Sequence, residues 1–254
     1  ALQDGGFEVI TTSVAQEQLI NYINEHQINV LLVRSATKVR KDLIDACPSI
    51  KVIGRGGVGM DNIDVEYARS KGVHVINTPA ASSRSVAELA FAHMMSLARF
   101  VYQSNQEMPG QGNANFGKLK KSYSKGFELE GKTLGVIGLG RIGQEAAKIG
   151  FGMGMTVIGV DPFVAGSKKV NWTIANTEIE AEIPSVALQE MLSKADFITM
   201  HIPFTGSPAL GAKEFSMMKK GVYLVNAARG GTIDEAALLE ALENGTIAAV
   251  GLDV

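Results

Sequence analysis

The run Gly138-Leu-Gly140-Arg-Ile-Gly143 lies between a short apolar stretch, Leu134–Ile137, and the start of an amphipathic one. Three glycines at that spacing serve three ends when a strand feeds a helix around a pyrophosphate. Gly138 permits the tight turn, Gly140 lets backbone approach the phosphates, and Gly143 lets helix and strand pack closely. The helix N-terminus then presents unpaired N–H groups and about half a positive charge to the anion. Asp161 ends the next strand, 23 residues beyond Gly138. Its carboxylate can accept both hydroxyls of an adenosine ribose and repels a 2′-phosphate. No arginine stands in Asp161-Pro-Phe-Val164. The chemistry this pattern suits is binding of NAD in preference to NADP.

Further chemistry-bearing residues follow other strands. Arg229, in Val225-Asn-Ala-Ala-Arg-Gly-Gly231, comes directly after one. Alone it reads as a surface arginine; beside the glycine fingerprint it reads as a ligand, because open parallel sheets bind at the carboxyl ends of their strands. Its planar fork suits a carboxylate and an adjacent carbonyl oxygen. His201-Ile202-Pro203 occupies an equivalent place, and His201 reads either as a base or, preferably, as a loop histidine flanking the cofactor. Nearer the start, Gly54-Arg-Gly-Gly-Val-Gly-Met-Asp-Asn62 follows a strand. Its glycines free backbone N–H groups for an anion-binding concavity, and Arg55 adds charge for a phosphate or carboxylate; glycine for steric reasons alone is the competing reading. Arg55, Gly56, Gly57, Val58 and Gly59 are therefore the candidate substrate-binding residues. Asn77-Thr78-Pro79 ends the next strand, and Thr78 can reach the cofactor.

The elements that must position these residues alternate strand and helix. In the first part, strands are expected at Phe7–Thr11, Val30–Val33, Lys51–Gly54 and Val73–Ile76, and helices at 15–26, 39–46 and 65–70. A long helix is expected over Ser85–Val101, with Ser82, Ser83 and Ser85 as cap candidates and Glu88 at capping-box spacing from Ser85. Residues 104–130 are polar and glycine-rich without a period, and read as a loop. The pattern then restarts with strands at Leu134–Ile137, Thr156–Val160, Phe197–Met200, Val222–Val225 and Ile247–Leu252. Helices are expected at 142–151, 185–194, 213–218 and 234–244, the last capped by Asp234. Residues 164–183 read as irregular. Such alternation means parallel sheet covered by helices: two α/β units.

Bulk composition narrows the partners. The 254 residues carry a formal charge of −2, with 10 basic and 10 acidic side chains in residues 1–100 and 14 and 16 in the rest. No basic face is implied, so nucleic acid is not expected. The longest apolar stretch, Ala90–Ala98, is interrupted by His93 and falls far short of the roughly 20 residues that span a bilayer. No signal-peptide pattern opens the sequence. One cysteine, Cys47, excludes an internal disulfide framework and a multi-cysteine metal site and fits a reducing compartment. A cytoplasmic protein without a metal is the expectation. Helix 85–101 carries Leu89, Phe91, Met94, Met95, Leu97 and Phe100 around more than one face. Its own sheet can cover only one, which predicts a two-fold homodimer, or a dimer of dimers, built on this helix.

Gly54–Asp64, Asn77–Glu88, Leu129–Gly143, Val225–Gly231 and Gly251–Val254 (GLDV), taken in order, resemble the D-isomer-specific 2-hydroxyacid dehydrogenases. The resemblance spans nearly the whole chain. It implies α/β architecture in two doubly wound parallel-sheet domains: a flavodoxin-like substrate-binding domain at 1–84 and a Rossmann NAD-binding domain at 85–254, with the active site in the cleft between them. It implies that Arg141 and Ile142 give backbone amides to the pyrophosphate. Asp161 would take the ribose, and Thr78, Ile202, Ala227, Ala228, Arg229 and Asp253 would line the cofactor site. Arg229 would also be the catalytic arginine that holds and polarises the 2-oxygen and carboxylate of a small 2-hydroxy acid. In the family a glutamate and then a histidine, the acid–base pair, follow the GLDV segment. The sequence stops at Val254 and opens on a loop, so both ends are expected to be trimmed. An NAD-sensing binding protein of the same fold is the reading from a different functional class. Within the family, a glyoxylate, hydroxypyruvate or formate dehydrogenase is the alternative.

Overall fold

The computed structural model describes residues Ala1–Val254, which divide into two compact units, Ala1–Ser82 and Ser83–Val254. The first holds three parallel strands, β1 (Val30–Val33), β2 (Val52–Arg55) and β3 (His74–Asn77), in the order β1-β2-β3. Helices α1 (Leu19–Glu25), α2 (Lys41–Ala46) and α3 (Val65–Ser70) accompany them. Ile23, Val39, Leu43, Ile53 and Ala68 form the centre of its core, each at most 2% exposed. Val30, Leu32 and Ile76 are exposed, and Leu32 and Ile76 reach toward each other over Gly54.

The strand expected at Phe7–Thr11 does not form. The segment has no ladder partner, and Phe7 and Ile10 are exposed. β-Branched residues favour a strand only where a neighbour satisfies the backbone and packs the side chains. The helix expected over 15–26 begins as a 3₁₀ turn, Gln16–Gln18, and is α-helical only from Leu19.

The second unit opens with α4 (Ser83–Arg99) and α5 (Val101–Tyr123). It continues through β4 (Thr133–Ile137), α6 (Arg141–Gly152), β5 (Thr156–Val160), β6 (Ser167–Ile174) and β7 (Thr177–Pro184). Next come α7 (Leu188–Lys194), β8 (Phe197–Met200), α8 (Ala212–Ser216), β9 (Val222–Asn226), α9 (Glu235–Glu243) and β10 (Ile247–Leu252). Five parallel strands lie in the order β10-β9-β8-β4-β5. The chain therefore runs outward from β4 to β5 and then returns to build the other side from β8. Side chains alternate across the sheet. Leu134, Val136, Val157, Phe197 and Val225 join α4 and α6 in one cluster. Ile137, Ile158, Ile198, Met200 and Leu224 join α7, α8 and α9 in the other. Burial of each such side chain stabilises the unit by roughly 1.5–3 kcal/mol. Gly135 faces α7, where a Cβ would run into the side chains of Met191 and Ala195.

Two further expectations are corrected. Residues 101–123, of which 104–123 fall in the loop expected over 104–130, are helical despite Pro109 and three glycines. Helical geometry breaks at Asn115 (φ −124°, ψ 18°). The two arms fold back on each other: the Tyr123 hydroxyl donates to Glu107 Oε2 at 2.6 Å, and the Tyr123 ring lies 6.3 Å from that of Phe100. Only Leu119 is buried, so the segment has no apolar period for sequence reading to find. Residues 164–183, expected to be irregular, contain the antiparallel hairpin β6–β7. Ala175 and Asn176 both take positive φ (46° and 67°), the requirement of a tight type I′ turn. Val170 and Ile183 are buried on the inner face, while Lys169 pairs with Glu180 and Glu182 on the outer one. No helix is long and apolar enough to cross a membrane.

Candidate functional site

β4 and β8 are neighbours at which the chain reverses its direction of sheet building, and ligands of open α/β sheets bind at the carboxyl ends of such a pair. Gly138 follows β4 there with φ +93°; a Cβ on it would stand 2.7 Å from the His201 carbonyl and 2.8 Å from Ile202 Cγ2. Any other residue would push apart the two strand ends. A Cβ on Gly143 would collide with the carbonyl of Gly138, so glycine at that position is what lets α6 start against the turn. Gly140 differs. A Cβ on it meets nothing within 4 Å, and the residue is exposed. It caps α6 without a side-chain hydrogen bond to the first turn. The open space over Gly140 and the uncapped first turn fit a pyrophosphate. Arg141 and Ile142 are the first residues of that turn and would hold it by their backbone amides.

Asp161 follows β5 on the same rim. Its Oδ2 accepts the Leu139 N–H at 2.8 Å and its Oδ1 accepts the Phe163 N–H at 2.9 Å. Each carboxylate oxygen keeps a further acceptor site, as a ribose diol requires. The donor set therefore fits NAD, which would rest its pyrophosphate on Gly138–Gly143 and its adenosine ribose on Asp161.

His201, Ile202 and Pro203 leave β8. The His201 ring packs inward: its Nε2 lies 3.1 Å from Thr199 Oγ1, and its Nδ1 is buried without a partner. Burial pushes its pKa down to about 4. A neutral imidazole so placed is a poor proton acceptor at neutral pH, which favours the flanking role over that of a base.

Arg229 sits in the loop after β9. Ala227 and Ala228 are each 8% exposed, and the guanidinium Nη1 donates to the Ala228 carbonyl at 2.6 Å. Asp253 follows β10, its N–H donating to the Asn226 carbonyl at 3.0 Å. Gly138–Gly143, Asp161, His201–Pro203, Ala227–Arg229 and Asp253 thus follow five adjacent parallel strands on one rim.

Arg55–Gly59 and Thr78 belong to the first unit, on its own strand-end rim. The loop is tied to β3: Asn77 Nδ2 donates to the Val58 carbonyl at 2.7 Å, and the Thr78 N–H donates to the Gly57 carbonyl at 3.2 Å. Gly57 has φ +152°, and a Cβ on it would collide with the Arg55 guanidinium, which folds over this glycine. Arg55 Nε is buried with no hydrogen-bond partner. Sequence reading missed Arg34. It follows β1 as Arg55 ends β2, and its Cγ lies 3.8 Å from a Cβ position on Gly56. No ion pair of the structure involves either arginine, and Arg34 is exposed. The strand-end rule that singled out Arg229 applies equally to Arg34.

The model of the family "D-isomer specific 2-hydroxyacid dehydrogenase, NAD binding domain" matches residues 91–254. A D-3-phosphoglycerate dehydrogenase of Methanocaldococcus jannaschii is 44% identical over all of this chain, which spans 46% of that relative's length. A hydroxypyruvate reductase of Thermotoga maritima is 42% identical over 97% of the chain and 75% of its own. The solved structure of an NAD-dependent formate dehydrogenase from Staphylococcus aureus, in complex with NAD, aligns with a TM-score of 0.78 at 27% identity. That alignment covers all of this chain and 72% of the other. The chain spans about half the length of the D-3-phosphoglycerate dehydrogenases it matches.

Proposed function

The chain belongs to the D-isomer-specific 2-hydroxyacid dehydrogenases, and we propose that the protein oxidises the 2-hydroxyl of a small D-2-hydroxy acid, 3-phosphoglycerate to 3-phosphohydroxypyruvate in serine biosynthesis. The observation that carries the reaction class is Arg229 standing on the same rim as the dinucleotide-binding turn and Asp161. NAD, when bound, supplies the two-electron acceptor for the hydrogen leaving C2. Arg229 offers its fork to the substrate carboxylate and 2-oxygen, and stabilises the charge that builds on that oxygen. The family resemblance implies a histidine after a GLDV segment as proton acceptor, and the neutral, inward-facing His201 does not compete for that role.

The phosphorylated substrate is favoured by Arg34 and Arg55, two guanidiniums without carboxylate partners beside a glycine-rich turn. A phosphomonoester dianion suits two such forks better than a neutral hydroxymethyl or methyl end does. The hydroxypyruvate reductase relative supports a second reading, an unphosphorylated 2-oxo acid. NADH formation by the full-length protein, with phosphorylated and unphosphorylated D-2-hydroxy acids side by side, decides between them. Fastest turnover of 3-phosphoglycerate is expected. Turnover of the unphosphorylated acids alone would move the assignment to the second reading, and turnover of none would remove the dehydrogenase reading.

We also propose that the protein works as a two-fold homodimer. In the single chain α4 buries Ala87, Ala90, Phe91, Met94 and Ala98 but leaves Leu89 and Met95 exposed, and α5 exposes Val101, Tyr102 and Phe116.

A further inference from the structure

Asn226, the last residue of β9, is 3% exposed, and Thr232, six residues on, is 1% exposed. Between them runs the loop that carries Arg229. Every polar atom of the Asn226 side chain is used on that loop. Its Oδ1 accepts the Ala228 N–H at 3.0 Å. Its Nδ2 donates to the Arg229 carbonyl at 3.1 Å and to Thr232 Oγ1 at 3.0 Å. The Thr232 hydroxyl in turn donates to the same Arg229 carbonyl at 2.7 Å. Asn226, Thr232 and the Arg229 carbonyl thus close a three-membered ring of hydrogen bonds. The Asn226 backbone carbonyl also receives the Asp253 N–H at 3.0 Å. One amide residue therefore binds the arginine loop to the start of the Asp253 segment.

We propose that Asn226 and Thr232 are positioning residues that fix the backbone of Arg229 and so the direction of its guanidinium. The proposal rests on the catalytic role assigned to Arg229 above. Apart from Arg229, whose guanidinium donates to the Ala228 carbonyl, the loop Ala227-Ala228-Arg229-Gly230-Gly231 is built of alanine and glycine, and its two glycines are free to rotate. Fully satisfied buried hydrogen-bond networks rigidify what they enclose. An arginine that must meet two oxygens at once tolerates little drift, since displacement by about 1 Å at a reacting centre can cost roughly 100-fold in rate. Neither Asn226 nor Thr232 is placed to touch substrate: both side chains point into the loop they hold.

The test uses the full-length protein and compares Thr232→Val, which keeps volume and removes the hydroxyl, with Thr232→Ser, which keeps the hydroxyl. Expected for valine is a fall of roughly 10- to 100-fold in kcat/KM for the 2-hydroxy acid. NADH affinity by fluorescence titration should move less than about threefold, since the pyrophosphate turn and Asp161 lie on other strands. Serine should restore most of the activity. In an Arg229→Gln background the valine substitution should cost nothing further, because the residue it positions is gone. Equal activity of the valine and serine variants, or losses that add in the double variant, would overturn the proposal. Normal turnover by Arg229→Gln alone would overturn the reading of Arg229, and this inference with it. Loss in Arg229→Gln with a silent Thr232→Val would sink the positioning role alone. Should the valine variant not fold, Thr232→Ala carries the same comparison.

Discussion

The Asp161 carboxylate accepts the backbone N–H of Leu139 at 2.8 Å, so the proposed ribose acceptor at the end of β5 is bonded directly to the glycine turn at the end of β4. The two halves of a dinucleotide site are therefore one hydrogen-bonded unit before any ligand arrives. Replacing Asp161 should act on both. In Asp161→Ala, NADH binding should weaken by at least ~10-fold, the equivalent of one charge-assisted hydrogen bond. The preference for NADH over NADPH should narrow as the negative charge facing a 2′-phosphate disappears. Parallel titrations with the two reduced cofactors test this. An unchanged preference would show that Asp161 is not the ribose ligand.

Gly140 and Gly143 should respond oppositely to alanine. Gly140 has φ −67° and open space around it, so Gly140→Ala should fold with a melting temperature within about 3 °C of the parent. Its methyl group would nevertheless stand where the pyrophosphate is proposed to approach, and NADH affinity should fall by ~10-fold or more. Gly143→Ala drives a methyl into the Gly138 carbonyl and should lose several degrees of melting temperature as well as binding. Thermal melts beside fluorescence titrations separate the two. Equal stability losses would contradict the geometry.

Arg34 supplies a test of the phosphorylated substrate. Arg34→Gln should raise KM for 3-phosphoglycerate by roughly 10-fold, the worth of one charge-assisted contact. KM for an unphosphorylated D-2-hydroxy acid should scarcely move. A uniform rise for both would mean that Arg34 acts on folding or on the shared carboxylate rather than on a phosphate.

His201 gives the stability a defined pH dependence. Its pKa is pushed down to about 4 in the fold by burial and is about 6.5 when the chain unfolds. The unfolded state therefore binds the extra proton first, and stability falls as pH drops from about 6.5 toward 4. The full effect is at most roughly 3–4 kcal/mol. Above pH 6.5 the ring is neutral in both states and contributes no slope. Denaturant unfolding of the parent and His201→Asn at pH 7, 5.5 and 4.5 should show the parent losing more stability than the variant. Parallel curves would mean that the ring is hydrated in solution.

The homodimer proposal predicts a dimer by light scattering at micromolar concentration. The pair Leu89→Asp and Met95→Asp, placed on the exposed side of α4, should yield folded monomer with intact NADH binding. A monomeric parent would end this proposal without touching the cofactor site.

The sequence alone determined what rests on local chemistry. The glycine spacing at 138, 140 and 143, an acidic residue at the end of the following strand, and Asp234 before a helix are each readable within a few residues. Asp234 indeed accepts the Ala237 N–H at 3.1 Å. Strands β5, β8 and β10 have the bounds their apolar runs predict, because a buried parallel strand needs little beyond a short β-branched or apolar run between breakers. Tertiary structure decided what depends on partners distant in sequence. Phe7–Thr11 has strand-forming residues but no neighbour to pair with, and remains without a ladder. The arms of α5 are helical where Pro109 and the glycines argue otherwise, joined through Tyr123 and Glu107, sixteen residues apart. The Asp161–Leu139 bond spans 22 residues and two strands. The ring at Asn226, Arg229 and Thr232 spans only six, yet nothing in the residue types announces it. A hydrogen bond is a matter of direction as much as of donor and acceptor, and the direction of Asn226 is set by burial at the end of β9 between β8 and β10.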